Sequence, residues 1–228
     1  MNRLALLILI LASAATAQWG VDAGPQSQYV SRGFVYDAKP VIWPDAWYSW
    51  KGATLLAFAN FSTEAAKVNE TDAFLNYARA TGPLTDTVGV SFMYFPNTGL
   101  DPTSEVTLAT AWSPMTQLSV AFSARIDVLG ARGGFYGGPS FAWTQEVPHA
   151  VLTARASLGL ANGTEALYLY GVGRAGWTDI TASLSAAHSW GPVTATLSAS
   201  ASHRPSELGY SRAVQNVYWF GLNLGFAH

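Results

Sequence analysis

The 228-residue sequence contains no cysteine. That removes both a disulfide framework and a thiol that could carry a lipid anchor, so the fold must be held by burial and backbone pairing. Charge is also scarce. Only 11% of residues are charged, against 50% hydrophobic and 13% aromatic, whereas an ordinary soluble domain carries about 25% charged residues. Such a chain has too few charges to clothe a globule in water. With a net charge of −2 and no basic cluster, nucleic acid is excluded as a partner. Long hydrophobic runs are missing too: beyond the first seventeen residues nothing approaches the roughly 18–20 uninterrupted apolar residues of a membrane helix. The opening MNRLALLILILASAATA has Arg3, an apolar run from Leu4 to Leu11, and Ala15 and Ala17 ahead of Gln18. This is the pattern of a secretory signal with an A-x-A cleavage site. The expected organisation is a leader over residues 1–17 and a single exported domain over residues 18–228.

What the sequence does have is alternation. In VTATLSASAS, Val193, Ala195, Leu197, Ala199 and Ala201 fall on one side of a strand, and Thr194, Thr196, Ser198, Ser200 and Ser202 on the other. The same period of two puts Leu118, Val120, Phe122, Ala124 and Ile126 opposite Ser119, Ser123, Arg125 and Asp127, and it recurs over residues 151–160 and 180–187. Short turn signals at Lys51-Gly52, Gly82-Pro83, Ser113-Pro114, Val147-Pro148 and Gly191-Pro192 alternate with longer polar stretches. These stretches cover residues 36–40, 62–71, 96–103, 129–139, 162–177 and 204–211. Strand, tight turn, strand, long loop repeats to give about twelve strands, an even number of the kind bacterial outer-membrane barrels use.

A soluble β-sandwich would carry charges on the exposed face of nearly every strand, and many strands here carry none. Lipid on the outside accounts for that. A sheet in hydrocarbon has no water to satisfy its edges and must close on itself. The expected fold is therefore a closed antiparallel transmembrane β-barrel in a bacterial outer membrane, with short periplasmic turns and longer extracellular loops. Membrane lipid would touch the apolar faces and water the hydroxyl faces. Trp50, Trp112, Trp143 and Trp190 near the short turns fit one aromatic belt, and Tyr94, Tyr136, Trp177 and Tyr210 near the long loops fit the other. The last strand places Tyr218, Phe220, Leu222, Leu224 and Phe226 on one side. With Gly221, Leu224 and Phe226 in the expected spacing, it resembles the signal read by the barrel-assembly machinery, although Ala227 and His228 follow the aromatic residue that normally ends it.

The segment SQYVSRGFVYDAKPVIWPDAWYSWKGATLLAFANF carries Tyr29, Arg32, Gly33, Pro40, Gly52 and Asn60. In these residues it resembles the opening hairpins of the TorF family of porins. The resemblance covers about the first fifth of the mature chain. It implies an outer-membrane barrel and supplies neither a substrate nor a catalytic residue.

Charges on the water-facing sides are few. Glu105 and Arg125 lie on successive strands, and a pairing of Trp112 with Leu118 would set them opposite each other. Asp127 follows one inward position on, Arg155 points inward two strands later, and Arg32 and Asp45 belong to the first hairpin. Opposed charges in a narrow bore create a transverse field that sorts solutes by charge; the alternative is that they bridge one another and fill the interior. With Thr194, Thr196, Ser198 and Ser200 they form the expected pore lining. Arg79 points outward near the Gly82-Pro83 turn, where it can reach headgroups. The string GVGRAG, residues 171–176, matches a dinucleotide fingerprint but runs into a period-two segment instead of a helix, and reads as a loop. No metal-ligand cluster is visible, and no cofactor is expected. A membrane-embedded lipid hydrolase would need a His-x-Ser pair; none of His149, His188, His203 and His228 has one, and His188 and Ser189 are adjacent, hence on opposite faces. The expected function is passive diffusion of small hydrophilic solutes through a narrow lumen lined by Ser, Thr and a few charges, without catalysis. The rivals are the hydrolase, with Ser189 as its first serine, and a non-conducting surface-binding barrel.

Overall fold

The computed structural model describes residues 17–204 and 216–228. The expected leader, Tyr210 and most of the last long stretch lie outside the described residues. The chain forms β1 (Gln18–Ala23), β2 (Pro25–Gln26), β3 (Tyr29–Ser31), β4 (Phe34–Asp37), β5 (Val41–Ile42), β6 (Asp45–Trp50), β7 (Ala53–Ser62), β8 (Lys67–Thr81), β9 (Leu84–Tyr94), β10 (Thr103–Met115) and β11 (Leu118–Asp127). It continues with β12 (Phe135–Val147), β13 (Ala150–Ala161), α1 (Gly163–Tyr170), β14 (Gly176–Trp190), β15 (Val193–His203) and β16 (Asn216–Ala227). Strands β6 to β16 pair with their chain neighbours, and β1 pairs with both β6 and β16, Gly20 opposite Ala227 and Ala23 opposite Leu224. The sheet closes as an antiparallel barrel of twelve strands. Backbone bonds between Trp19 and His228, 3.0 and 2.9 Å, complete the seam. No described helix is long and apolar enough to cross a membrane.

The packing is inverted relative to a soluble protein. Leu55, Leu75, Leu108, Phe141, Leu184, Leu197 and Phe220 are all exposed on the outer face, Leu197 at 62%. Among buried side chains the polar and charged ones outnumber the hydrophobic. Patches of this extent on a soluble monomer would be an association hazard; around a closed sheet they form the band that hydrocarbon covers. Trp50, Trp112, Trp143 and Trp190 are exposed beside the short turns, and Tyr94 and Trp177 are exposed toward the other end. Tyr136 departs from the expected belt. It is buried on the inner face, where its hydroxyl finds an acidic partner.

Two details of the strand connections differ from expectation. Strand β10 runs through Ser113-Pro114 to Met115, with a register shift between Trp112 and Met115, and the tight turn falls at Thr116-Gln117. Proline lacks a ladder donor and is accommodated at such irregularities. As a result Trp112 faces Val120, Glu105 faces Asp127, and Thr107 faces Arg125, so Glu105 and Arg125 are not directly opposed. The second difference is larger. β2 continues β1 along β16, with Gln26 opposite Gly221, and β5 continues β6 along β7, with Val41 opposite Ser62. The fourteen residues 27–40 between them leave the wall as a separate two-stranded unit, β3–β4.

Candidate functional site

The β3–β4 hairpin lies inside the barrel. Its turn is Arg32-Gly33, both with positive φ (52° and 70°), the two-residue turn whose twist suits a hairpin. A Cβ on Gly33 would sit 2.6 Å from the Asp179 Cβ, so only glycine fits. One face of the hairpin brings Tyr29 and Tyr36 against Trp43 and Phe58; the other packs Val30 and Val35 against Val217 and Trp219 of β16. The hairpin is apolar on both sides because both sides are covered.

Arg32 is carried across the lumen at the tip. Its guanidinium bonds Glu165 of α1 at 2.5 Å and also Glu105 of β10, and stacks 4.7 Å over the Tyr136 ring. All three charged side chains are nearly sealed from water, at 9%, 4% and 2% exposure for Arg32, Glu105 and Glu165. Burial works against the Arg32 charge, but the two carboxylates outweigh it and hold its pKa above the ordinary value. For Glu165 burial dominates and lifts the carboxyl above its usual range despite Arg32. The tip backbone is held separately: the Tyr170 hydroxyl donates to the Arg32 carbonyl at 2.7 Å, and the Arg204 guanidinium donates to the Gly33 carbonyl. Tyr136 donates to Asp179 at 3.0 Å, an acid also bonded by Thr178 and Thr181.

Helix α1 sits within the segment expected to be loop. Asn162 caps it, its side chain accepting from the Glu165 amide at 3.0 Å. Gly171, in the left-handed region at φ 73°, ends it with its amide on the Leu167 carbonyl. The first glycine of GVGRAG is thus a helix stop.

The two walls of the lumen differ. On the β7–β10 side, Thr54, Asn76, Thr87, Ser91 and Thr107 point inward and are buried. On the β12–β15 side the cross-strand rung Thr144, Thr153, Ser185 and Ser198 points inward but stays half-exposed, as do Thr194 and Thr196. Arg155 projects from the same wall, half-buried between Ala142 and Ser183. Toward the hairpin tip this wall becomes covered, with Ser200, Ser202 and Asp179 buried. Asp45 is buried on the inner face of β6, Arg125 is half-buried on β11, and Asp127 is buried on β11, accepting from Thr103 and from the Leu129 amide at 2.8 Å. The structure thus brings Arg32 and Glu105 into contact, while Arg155, Thr194, Thr196 and Ser198 lie apart from them on the inner face, half-exposed. Glu165, Tyr136, Tyr170, Asp179 and Arg204 were not anticipated from sequence. His188 bonds the His149 carbonyl and lies against Trp190 on the outer face, while Ser189 Oγ is 2.9 Å from Thr194 Oγ1 inside, so His188 and Ser189 do not pair.

A closed antiparallel barrel with an apolar exterior and polar interior is the architecture of bacterial outer-membrane proteins, and solved structures similar to this one in shape include porins and an outer-membrane channel. The KdgM porin, solved in complex with disordered oligogalacturonate, superposes with a TM-score of 0.59 at 12% identity, covering 91% of this chain and 98% of its own. The NanC porin gives 0.55 at 12% identity, covering 92% and 98%. An outer-membrane channel from Pseudomonas putida F1 gives 0.57 at 9% identity, covering 95% and 97%. These identities speak to fold. No family model and no curated protein matches the chain.

Proposed function

We propose that the protein is an outer-membrane channel for the passive diffusion of small hydrophilic solutes, narrowed from within by the β3–β4 hairpin. The observation that carries this reading is the difference between the walls. Inward-facing hydroxyls on β12–β15 remain half-exposed, which requires space inside the barrel that water can reach. The proposed pore lining is Thr194, Thr196, Ser198 and Arg155 in the wide part, and Arg32, Asp45, Glu105, Arg125, Asp127 and Ser200 toward the constriction. Twelve strands give a smaller bore than the 16–18 of general porins, so one hairpin is enough to restrict it. We also propose membership of the TorF porin family: Tyr29, Arg32 and Gly33 of that resemblance form the hairpin, with Pro40 just past its end. Insertion by the barrel-assembly machinery is proposed on the spacing of Gly221, Leu224 and Phe226.

A second reading, a filled and non-conducting barrel, draws on the burial of Ser200, Ser202 and Asp179 beneath the hairpin tip. Recording the purified protein in planar bilayers separates the two. Discrete conductance steps, with swelling of sugar-loaded liposomes, are expected of a channel. The absence of both, in the wild type and in a variant lacking residues 28–39, would count decisively for the filled barrel.

A further inference from the structure

A cavity of about 170 Å³ lies between the inner hairpin and the barrel wall opposite the wet hydroxyls. Four rings form one side: Tyr29 stacks on Tyr36 at 5.1 Å and meets the Trp43 edge at 5.5 Å, and Trp43 meets Phe58 at 6.0 Å. Glu70 and Asp72 line the side facing them, and Arg32, Glu105 and Arg125 also reach the cavity, toward the hairpin tip. Glu70 and Asp72 are two residues apart on β8, both inward, and the register sets Asp72 directly opposite Phe58. They are 5% and 9% exposed. Glu70 Oε2 and Asp72 Oδ1 accept no hydrogen bond, and neither residue makes an ion pair among the described residues. The nearby guanidinium of Arg32 is already engaged by Glu105 and Glu165.

Buried carboxyl oxygens with open acceptor positions are costly unless something supplies a partner. Two carboxylates without a third ligand do not make a metal site, and no group of three His, Cys, Asp or Glu suited to a metal occurs among the described residues. Rings facing carboxylates favour a cation with an organic surface, because the ring face attracts positive charge and the apolar substituents bury against it. The volume corresponds to about five or six waters at roughly 30 Å³ each, room for a compact ammonium compound and too little for an oligosaccharide.

We propose that this cavity is a binding site for a small organic cation of the primary or quaternary ammonium class, held by Glu70 and Asp72 against the Tyr29, Tyr36, Trp43 and Phe58 rings. As a selectivity site of the lumen it rests on the channel reading; as a binding site it does not. The test uses the full-length mature barrel in detergent, with choline as the ligand and its uncharged carbon isostere, 3,3-dimethylbutan-1-ol, as the control, followed by tryptophan fluorescence and calorimetry. Choline is expected to bind at least about tenfold more tightly than the alcohol, a gap of about 1.4 kcal/mol, and the E70Q/D72N variant is expected to lose that preference. The variant retains side-chain volume and polar oxygens at both positions, so it should fold with a thermal midpoint close to that of wild type. Equal affinity for the two compounds, no choline binding to wild type, or undiminished binding to E70Q/D72N would each overturn the site. Bilayer recording separates the two proposals: choline binding in a barrel that never conducts defeats the channel alone, and conductance without choline binding defeats the site alone.

Discussion

Replacing Arg32 by methionine should unlock the hairpin. The side chain sits between Glu105 and Glu165 with all three groups nearly sealed from water, so R32M leaves two buried carboxylates facing each other without their cation. Removing one partner of such a pair costs about 3–5 kcal/mol, because the orphaned charge stays desolvated. Arg125 also acts on Glu105, which argues for the lower limit. Even about 3 kcal/mol shifts a docked–undocked equilibrium by more than about a hundredfold. The hydrogen bonds from Tyr170 and Arg204 go to backbone carbonyls of the tip and survive the substitution, so the perturbation is confined to charge. Single-channel recording should show R32M with larger or more frequent open events than wild type. The triple variant R32M/E105Q/E165Q carries no orphaned charge and should return toward the wild-type trace. If R32M conducts and gates as wild type does, or if the triple variant is as open as the single one, the hairpin is not held by these ion pairs and the reasoning fails.

Four further outcomes follow from the same geometry. Valine at Gly33 meets both the backbone requirement at φ 70° and the Asp179 contact. Strain of about 1–2 kcal/mol from the left-handed backbone alone should make G33V resemble R32M in bilayers, and wild-type behaviour would refute the turn assignment. Leu197 is exposed on the outer face and Ser198 points inward. L197R should therefore lose about 2–4 kcal/mol of folding stability in lipid vesicles while S198A stays near neutral; equal losses would contradict the assignment of faces. Arg155 is half-exposed on the inner face of β13; if it lines the proposed conduction path, R155Q should move the reversal potential in a KCl gradient toward cation preference, and an unchanged potential would remove it from that path. Burial raises the Glu165 carboxyl above its ordinary value. Its folded form therefore holds a proton more tightly than its unfolded form, and this contribution to stability grows as pH falls through the raised pKa and is lost as pH rises. The E165Q unfolding midpoint should vary less with pH across that window, and an identical slope would mean that another group titrates there.

The barrel was legible because each strand states its own two environments. In β15 a hydrocarbon or alanine alternates with a hydroxyl for ten residues, and no other register keeps Leu197 in lipid and Ser198 in water. The hairpin was not legible by the same rule, since residues 29–36 break it: Tyr29, Val30, Phe34, Val35 and Tyr36 give a nearly continuous apolar run around a polar turn. A segment apolar on both faces cannot be a strand with lipid on one side and water on the other. It must be covered on both sides, and inside a barrel the only cover is the interior. Helix α1 offered a comparable signal. Asn162 stands three residues before Glu165, and Gly171 follows an apolar run, which is the start-and-stop chemistry of a short helix; the dinucleotide-like string GVGRAG overlaps that stop and masks it. The Arg32–Glu105–Glu165 cluster was beyond reach, because it joins residues from three distant parts of the chain and depends on where the hairpin tip arrives. A one-strand pairing rule relates Glu105 only to its neighbours across β9 and β11. The cation that meets it comes from the loop folded through the middle, so in this barrel the pattern along the strands determines the wall, and the one stretch that violates the pattern determines what the wall encloses.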